Sequence, residues 1–280
     1  IRWSCHGVSH PFQNNRSTPE DIFIANSSRV QEALRVLEEF TRITDPKLSE
    51  VATKIRYSTY AIEIKVLNAK DYLNKRQILK NCSLYLITSN KPNLKEVVLQ
   101  SLEAGVKIVQ YREKLLNDNE KVNQAKDLSS LCKRYKALFI VNDRIDIALA
   151  VDADGIHLGQ EDIPTKVARD LIGSEKIIGR STHCIKEIKN AEDEGCDYIG
   201  IGPIFPSETK KKLTPIGIDY LRKGLNETLL PAFAIGGINS SNINRLNHLN
   251  NLRIAVSDAI INSNDPLLKA EELLTFLKWN

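Results

Sequence analysis

From residue 83 onward this chain repeats one pattern eight times: a short apolar run, a polar break and, in most repeats, an amphipathic stretch. The runs are 83–88 (SLYLIT), 106–110 (VKIVQ), 137–142 (ALFIVN), 155–158 (GIHL), 177–180 (IIGR), 197–202 (DYIGIG), 232–236 (AFAIG) and 253–257 (RIAVS). Short continuous runs of this kind suit strands buried on both faces, as in a parallel sheet. Helical periodicity fills most of the gaps, for example at 93–104, 119–135, 186–194 and 266–278. Parallel neighbours need a crossover, and helices supply it. Eight such units in about 200 residues predict a closed (β/α)8 barrel, α/β in class. A doubly wound open sheet is the main alternative, and the absence of G-x-G-x-x-G after the first strand disfavours it.

The segment before residue 83 has a different period. Thr18 can cap a helix over 18–43, with Pro19 at its first position and Asp21 in its first turn. Val30, Ala33, Leu34, Leu37 and Phe40 form its apolar stripe. Asp45-Pro46 repeats the signal and opens a second helix, with Leu48, Val51, Ala52, Ile55, Ile62 and Val66 expected inward. This is an α-helical hairpin extension in which Arg29, Glu32, Arg35, Glu38 and Glu39 read as a solvated face. The polar stretch 68–81 reads as the connection to the barrel. Two helices bury little by themselves, so the hairpin is expected to pack on the barrel, on sequence upstream or on another chain. The expected division is a partial helical extension at 1–75 and a barrel at 82–280. The chain has no methionine, even at position 1, so truncation upstream is also expected.

Composition narrows the function. The 280 residues are 42% apolar and 26% charged, which is ordinary globular usage. A net charge of +4, with Lys210-Lys-Lys212 as the densest basic run, does not suggest a nucleic-acid partner. No run approaches the roughly 18 apolar residues of a membrane span. Five cysteines (Cys5, Cys82, Cys132, Cys184, Cys196) without a C-x-x-C suggest reduced thiols in a cytoplasmic protein. His6 and His10 have metal-ligand spacing, but Pro11 and the missing context make them poor ligands.

In such a barrel the chemistry comes from the C-terminal ends of the strands. The second run ends in Gln110-Tyr-Arg112-Glu-Lys114. Alternate residues share a face, so Gln110, Arg112 and Lys114 can point into the mouth together, two of them as phosphate-binding cations. Asn142-Asp143 ends the third run, and Glu161-Asp162 follows the fourth. Mg²⁺ takes one or two carboxylates plus substrate phosphate, which Asp143 and Asp162 can supply from neighbouring strands. Asp162 could instead cap a helix. His157, inside an apolar run, reads as a core residue. Ser181 can donate to a phosphate or ring nitrogen, while His183 is either an acid/base or the start of a helix. The loop Gly202 to Lys210, with Ser207, Glu208, Thr209 and Lys210, reads as a lid. Gly236-Gly237 and Ser257-Asp258 fall where many barrels bind a phosphate through backbone N–H groups. These features predict a Mg²⁺-dependent transferase that joins two phosphorylated ligands in one mouth.

Six segments in this order, QYREK at 110–114, VNDR at 141–144, GIHLGQED at 155–162, GRSTH at 179–183, GPIFPSETK at 202–210 and AIGGI at 234–238, resemble the thiamine-phosphate synthases. The likeness covers about 82–262, and 18–70 resembles the helical extension of the longer members. It implies condensation of hydroxymethylpyrimidine diphosphate with thiazole phosphate to give thiamine phosphate and pyrophosphate. Gln110, Arg112, Lys114, Asn142, Ser181 and Lys210 would hold the pyrimidine diphosphate, with Tyr111 and Glu113 in the same binding segment. Arg112, Lys114 and Lys210 would be catalytic, and Asp143 and Asp162 would bind Mg²⁺. Ser207, Glu208, Thr209, Gly237, Ser257 and Asp258 would contact the thiazole phosphate. Asp258 stands where the resemblance leads one to expect a small or basic residue. The implied partners are the two phosphorylated small molecules, with no nucleic acid and no membrane; a homo-oligomer is left open. The competing readings are a thiazole tautomerase of the same superfamily, using His183 without metal, and a non-catalytic phosphate-ligand sensor.

Overall fold

The computed structural model describes residues 18–207 and 214–278. Eight strands form a closed barrel in sequence order: β1 (Leu84–Ile87), β2 (Ile108–Tyr111), β3 (Leu138–Asn142), β4 (Gly155–Leu158), β5 (Ile177–Thr182), β6 (Tyr198–Ile201), β7 (Ala232–Ile235) and β8 (Ile254–Val256). Every neighbouring pair is parallel, and β8 closes on β1 through Tyr85 opposite Ala255. The predicted barrel is therefore present, with each strand within about two residues of its expected limits.

Alternation along the strands divides the core in two. Outward residues such as Leu86, Val109, Phe139, Ile156, Ile199 and Val256 join the apolar layer under the helices. Inward residues, including Tyr85, Ile108, Leu138, Ile177, Tyr198, Phe233 and Ala255, fill the interior. Tyr85, Tyr198 and Phe233 meet edge to face with centroids 5.3–5.8 Å apart, worth about 0.5–1.5 kcal/mol per pair beyond area burial. Gly179 makes this possible: a Cβ there would lie 2.0 Å from the Tyr198 ring.

The crossovers are α3 (Leu94–Glu103), α4 (Asp118–Arg134), α5 (Ile145–Ala150), α6 (Thr165–Ile172), α7 (Ile185–Asp193), α8 (Gly217–Asn226), a 3-10 turn (Ile243–Leu246), and α9 (Asp258–Ile261) followed by α10 (Pro266–Lys278). The periodic stretches at 93–104, 119–135, 186–194 and 266–278 match helices closely. The helices α5 and α9 are too short for an apolar stripe to register.

Ahead of the barrel lie α1 (Pro19–Thr44) and α2 (Pro46–Asn81). Thr18 and Asp21 form the expected reciprocal cap, and Asp45 Oδ1 accepts from Leu48 N at 3.1 Å. Two sequence expectations are corrected here. The stretch 68–81 is not a polar connection but the last four turns of α2. There Leu79 is buried, with Ile78 and Tyr72 packed against the barrel-interior cluster. The chain accordingly divides into two compact units at Lys70/Asp71, inside one continuous helix.

The second correction concerns the hairpin faces. The buried residues of α1 are Ser27, Gln31 and Thr41. Gln31 Nε2 donates to Glu63, Arg56 pairs with Glu38 at 2.9 Å, and Ser49 Oγ donates to Glu38 O at 2.9 Å. The helix–helix seam is thus polar, and Glu38 belongs to it rather than to a solvated face. Val30, Leu37 and Phe40 are 46–77% exposed, and of the α2 positions expected inward only Ala52 is buried.

Candidate active site

All eight strands deliver side chains or loops to one cavity of about 300 Å³ at the C-terminal mouth of the barrel. One wall carries Gln110 and Arg112 from the end of β2, Asn142 from β3, His157 from β4 and Ser181 from β5. The opposite wall carries Ser207 from the loop after β6, Gly236 and Gly237 after β7, and Ser257 and Asp258 after β8. Ile87, Ile235, Ala255 and Val256 add apolar surface between them. A polar rim on a partly apolar floor is the make-up of a small-molecule site.

Beside the first wall, Lys114, Asp143 and Asp162 come together. Lys114 Nζ donates to Asp143 Oδ2 at 2.7 Å, and Asp162 Oδ2 accepts from Gly159 N at 2.6 Å. Asp162 therefore folds back on its own loop and does not cap α6, whose N-cap is Pro164. Burial pushes the Asp143 carboxyl up, but hydrogen bonds from Lys114 and Asp162 outweigh it and hold the group below the usual carboxylate range. Asp162 is displaced upward by burial and by its bond to Asp143. Two carboxylates in contact cannot both stay ionised at low cost unless a proton or a cation lies between them. An all-oxygen pair facing solvent suits a hard divalent cation that keeps several waters. Among the described residues no group of three or more His, Cys, Asp or Glu forms a metal cluster.

The opposite wall is built for close backbone approach. Gly236 and Gly237 have φ of 99° and 66°, and a Cβ on Gly237 would lie 2.2 Å from the Pro206 carbonyl oxygen. Only glycine fits both constraints. Ser257 Oγ is buried with no hydrogen-bond partner, an orphan polar atom of the sort a ligand satisfies. Asp258 is exposed, and its carboxylate reaches along α9 to Asn262 Nδ2 at 3.4 Å.

Several expected site residues are placed elsewhere. Tyr111 points outward, donating to Gln124 Oε1 at 3.0 Å and stacking on Phe139. Glu113 accepts from Asn90, Leu115 N and Leu116 N and so braces the loop after β2. Both fall on the alternate face from Gln110 and Arg112, which is why the structure does not bring them to the cavity. Arg144, which follows Asp143 in the same motif and has no expected site role, is bound to Asp118 and Asp146. His183 lines the cavity, yet its Nδ1 and backbone N–H are both engaged by Glu187 in the first turn of α7. Glu208, Thr209, Lys210, His6, His10 and Cys5 lie outside the described residues. Two residues that bond beneath Gln110 carry no signal in the sequence: Tyr85 accepts from Gln110 Nε2 and shares a hydrogen bond with Tyr198, yet both sit in apolar runs that read simply as strand.

The fold and the polar-rimmed mouth are those of a (β/α)8 barrel enzyme. Residues 84–260 match the family model described as thiamine monophosphate synthase, and residues 4–65 match one described as the ThiD2 family. The chain is 50% identical to a thiamine-phosphate synthase of Prochlorococcus marinus over 272 residues, covering 97% of this chain and 79% of that one. It is 45% identical to a thiamine-phosphate synthase of a Synechococcus species, covering 97% and 78%. A solved thiamine phosphate pyrophosphorylase from Pyrococcus furiosus superposes with a TM-score of 0.65 at 37% identity, over 74% of this chain and 98% of that one. A 3-hexulose-6-phosphate synthase from Salmonella typhimurium shares the fold at 15% identity, with a TM-score of 0.53 over 70% and 99%. The chain belongs to the thiamine monophosphate synthase family, and its activity is the formation of thiamine phosphate.

Proposed function

We propose that the first wall holds a pyrimidine diphosphate and the second a thiazole phosphate, and that the reaction is a dissociative transfer of the pyrimidinylmethyl group. The observation that carries this reading is the Lys114–Asp143–Asp162 cluster, in which Asp143 directly follows the cavity-lining Asn142. Asp143 and Asp162 would hold Mg²⁺, which when bound supplies Lewis-acid stabilisation of the departing pyrophosphate. Arg112 and Lys114 would add positive charge where negative charge develops, and the resemblance gives Lys210 the same role. The methylene C–O bond breaks with its electron pair going to pyrophosphate. The electron-rich aminopyrimidine stabilises the resulting cation, and the thiazole nitrogen lone pair then forms the C–N bond. No protein nucleophile is needed, and both substrates are small phosphorylated molecules. Residues 82–280 would act as the catalytic module and 1–75 as an extension. The four described cysteines are unpaired, which suits a reducing, cytoplasmic setting. No described helix is long and apolar enough to cross a membrane.

Thiamine phosphate and pyrophosphate are expected in equal amounts when both substrates and Mg²⁺ are supplied, with turnover abolished by EDTA and restored by excess Mg²⁺. Undiminished turnover in EDTA would sink the metal reading. On the second wall, Ser257→Ala is expected to raise KM for thiazole phosphate about tenfold while leaving KM for the pyrimidine diphosphate unchanged. An unchanged thiazole-phosphate KM would exclude Ser257 from that subsite.

A further inference from the structure

Below the cavity a hydrogen-bonded relay crosses the barrel interior. Gln110 Nε2 donates to Tyr85 Oη at 2.8 Å. The Tyr85 and Tyr198 hydroxyls lie 2.7 Å apart, and Tyr198 Oη is 3.0 Å from His157 Nδ1. His157 Nε2 in turn is 3.0 Å from Ser181 Oγ. Five strands contribute one residue each. Gln110, His157 and Ser181 line the cavity, whereas Tyr85 and Tyr198 are 1% and 0% exposed.

We propose that this relay sets the hydrogen-bonding polarity of the cavity floor, with Tyr85, Tyr198 and His157 acting as positioning residues that select an aminopyrimidine. The inference rests on the pyrimidine occupying the first wall, as proposed above.

Proton bookkeeping carries the argument. An amide NH2 can only donate, so Tyr85 Oη accepts from Gln110 and passes its own proton to Tyr198. Tyr198 then donates to His157 Nδ1, and an imidazole that accepts there is neutral, with its one proton on Nε2 facing Ser181 Oγ. Ser181, having accepted, is left to donate into the cavity, and Gln110 presents its carbonyl oxygen. Reversing the Gln110 amide reverses every bond, giving an NH2 at one end and an acceptor hydroxyl at the other. In either sense a neutral relay makes one end a donor when the other is an acceptor. That is the pattern of an aminopyrimidine, which offers an amino donor and ring-nitrogen acceptors. Burial holds both tyrosine hydroxyls far above their ordinary ionisation range, so they stay protonated. A buried network with its members satisfied is also rigid, which fixes Gln110 and Ser181 before the ligand arrives.

The test compares binding of two metal-free, non-reacting ligands: 4-amino-2-methyl-5-hydroxymethylpyrimidine and its analogue with hydrogen in place of the amino group. Calorimetry is run on the whole chain and on Tyr198→Phe and Tyr85→Phe, each checked for a cooperative melt. The unmodified chain is expected to prefer the amino ligand on the order of 100-fold, because a site built to pair a donor leaves its own groups unpaired when the donor is missing. In either variant the preference should fall to roughly tenfold or less, while binding of inorganic pyrophosphate is unchanged. A purely structural role would weaken both pyrimidines alike and keep their ratio. Retention of the full preference in whichever variant folds overturns the proposal. Metal-independent turnover would strike the Mg²⁺ reading alone, since this comparison uses no metal.

Discussion

Asp143→Asn is expected to lower turnover at least about 100-fold and to move the Mg²⁺ requirement far upward, with the fold intact. Asparagine is the informative substitution because Asp143 sits at φ 60°. Among non-glycine residues Asn tolerates that region best, so the change removes charge without adding backbone strain. Lys114→Ala should be comparably damaging to turnover. Its side chain is 54% exposed, and an exposed ion pair contributes at most about 1 kcal/mol to stability. For a domain of this size that is a few degrees in Tm. Losing one charge-stabilising donor at a reacting centre costs about 100- to 1,000-fold in rate. The predicted pattern is therefore lopsided: a large kinetic loss beside a small thermal one. Steady-state rates over a Mg²⁺ titration, paired with thermal melts, decide it. Near-normal rates in both variants would remove the cluster from the chemistry.

Parallel geometry made the barrel legible. Strands buried on both faces read as apolar runs, and their ends are where polarity resumes, so Gln110, Asn142 and Ser181 are legible in the sequence. Alternation also placed Gln110 and Arg112 on one face, and the same rule, applied to Tyr111 and Glu113, puts them outside the cavity. What the sequence could not convey is register between strands. Tyr85 and Tyr198 lie 113 residues apart yet share a hydrogen bond, because β1 and β6 present them at one level of a closed cylinder. The void at Gly179 that admits the Tyr198 ring exists only in three dimensions. The hairpin misled for another reason. An apolar stripe is normally taken to face the neighbouring helix, but here Gln31–Glu63 and Arg56–Glu38 occupy that seam. With the seam filled by charge and amide, the apolar side chains turn to the surface.

At the opposite end of the barrel, Asp197→Ala is expected to cost about 3–5 kcal/mol, the loss that follows when one partner of a buried charged network is removed. Asp197 is 2% exposed and precedes β6. Its Oδ2 accepts from Ile178 N and from Arg169 Nη2, both at 2.9 Å, and its Oδ1 accepts from the Tyr72 hydroxyl. One carboxylate thus fastens the end of α2, α6 and β5 to the foot of β6. Removing it leaves a strand N–H, the Nη2 of Arg169 and a phenol without their acceptor, while Arg169 Nη1 keeps the Gly173 and Lys176 carbonyls; desolvation makes the lost partners costly. Tyr72→Phe, which deletes one spoke of the network, should cost only about 1 kcal/mol. Burial, and then the Asp197 bond, push the Tyr72 hydroxyl up to about 12. The folded state favours the neutral phenol, so this contribution is whole below the ordinary tyrosine value of about 10 and is lost as pH rises from there through about 12. The active-site mouth lies at the other end of the strands, so kcat per folded molecule should not change in either variant. Denaturant melts set beside active-site-normalised rates separate the two effects. A melting temperature for Asp197→Ala within about 2 °C of the unmodified chain would show that the network is not what holds the foot of the barrel.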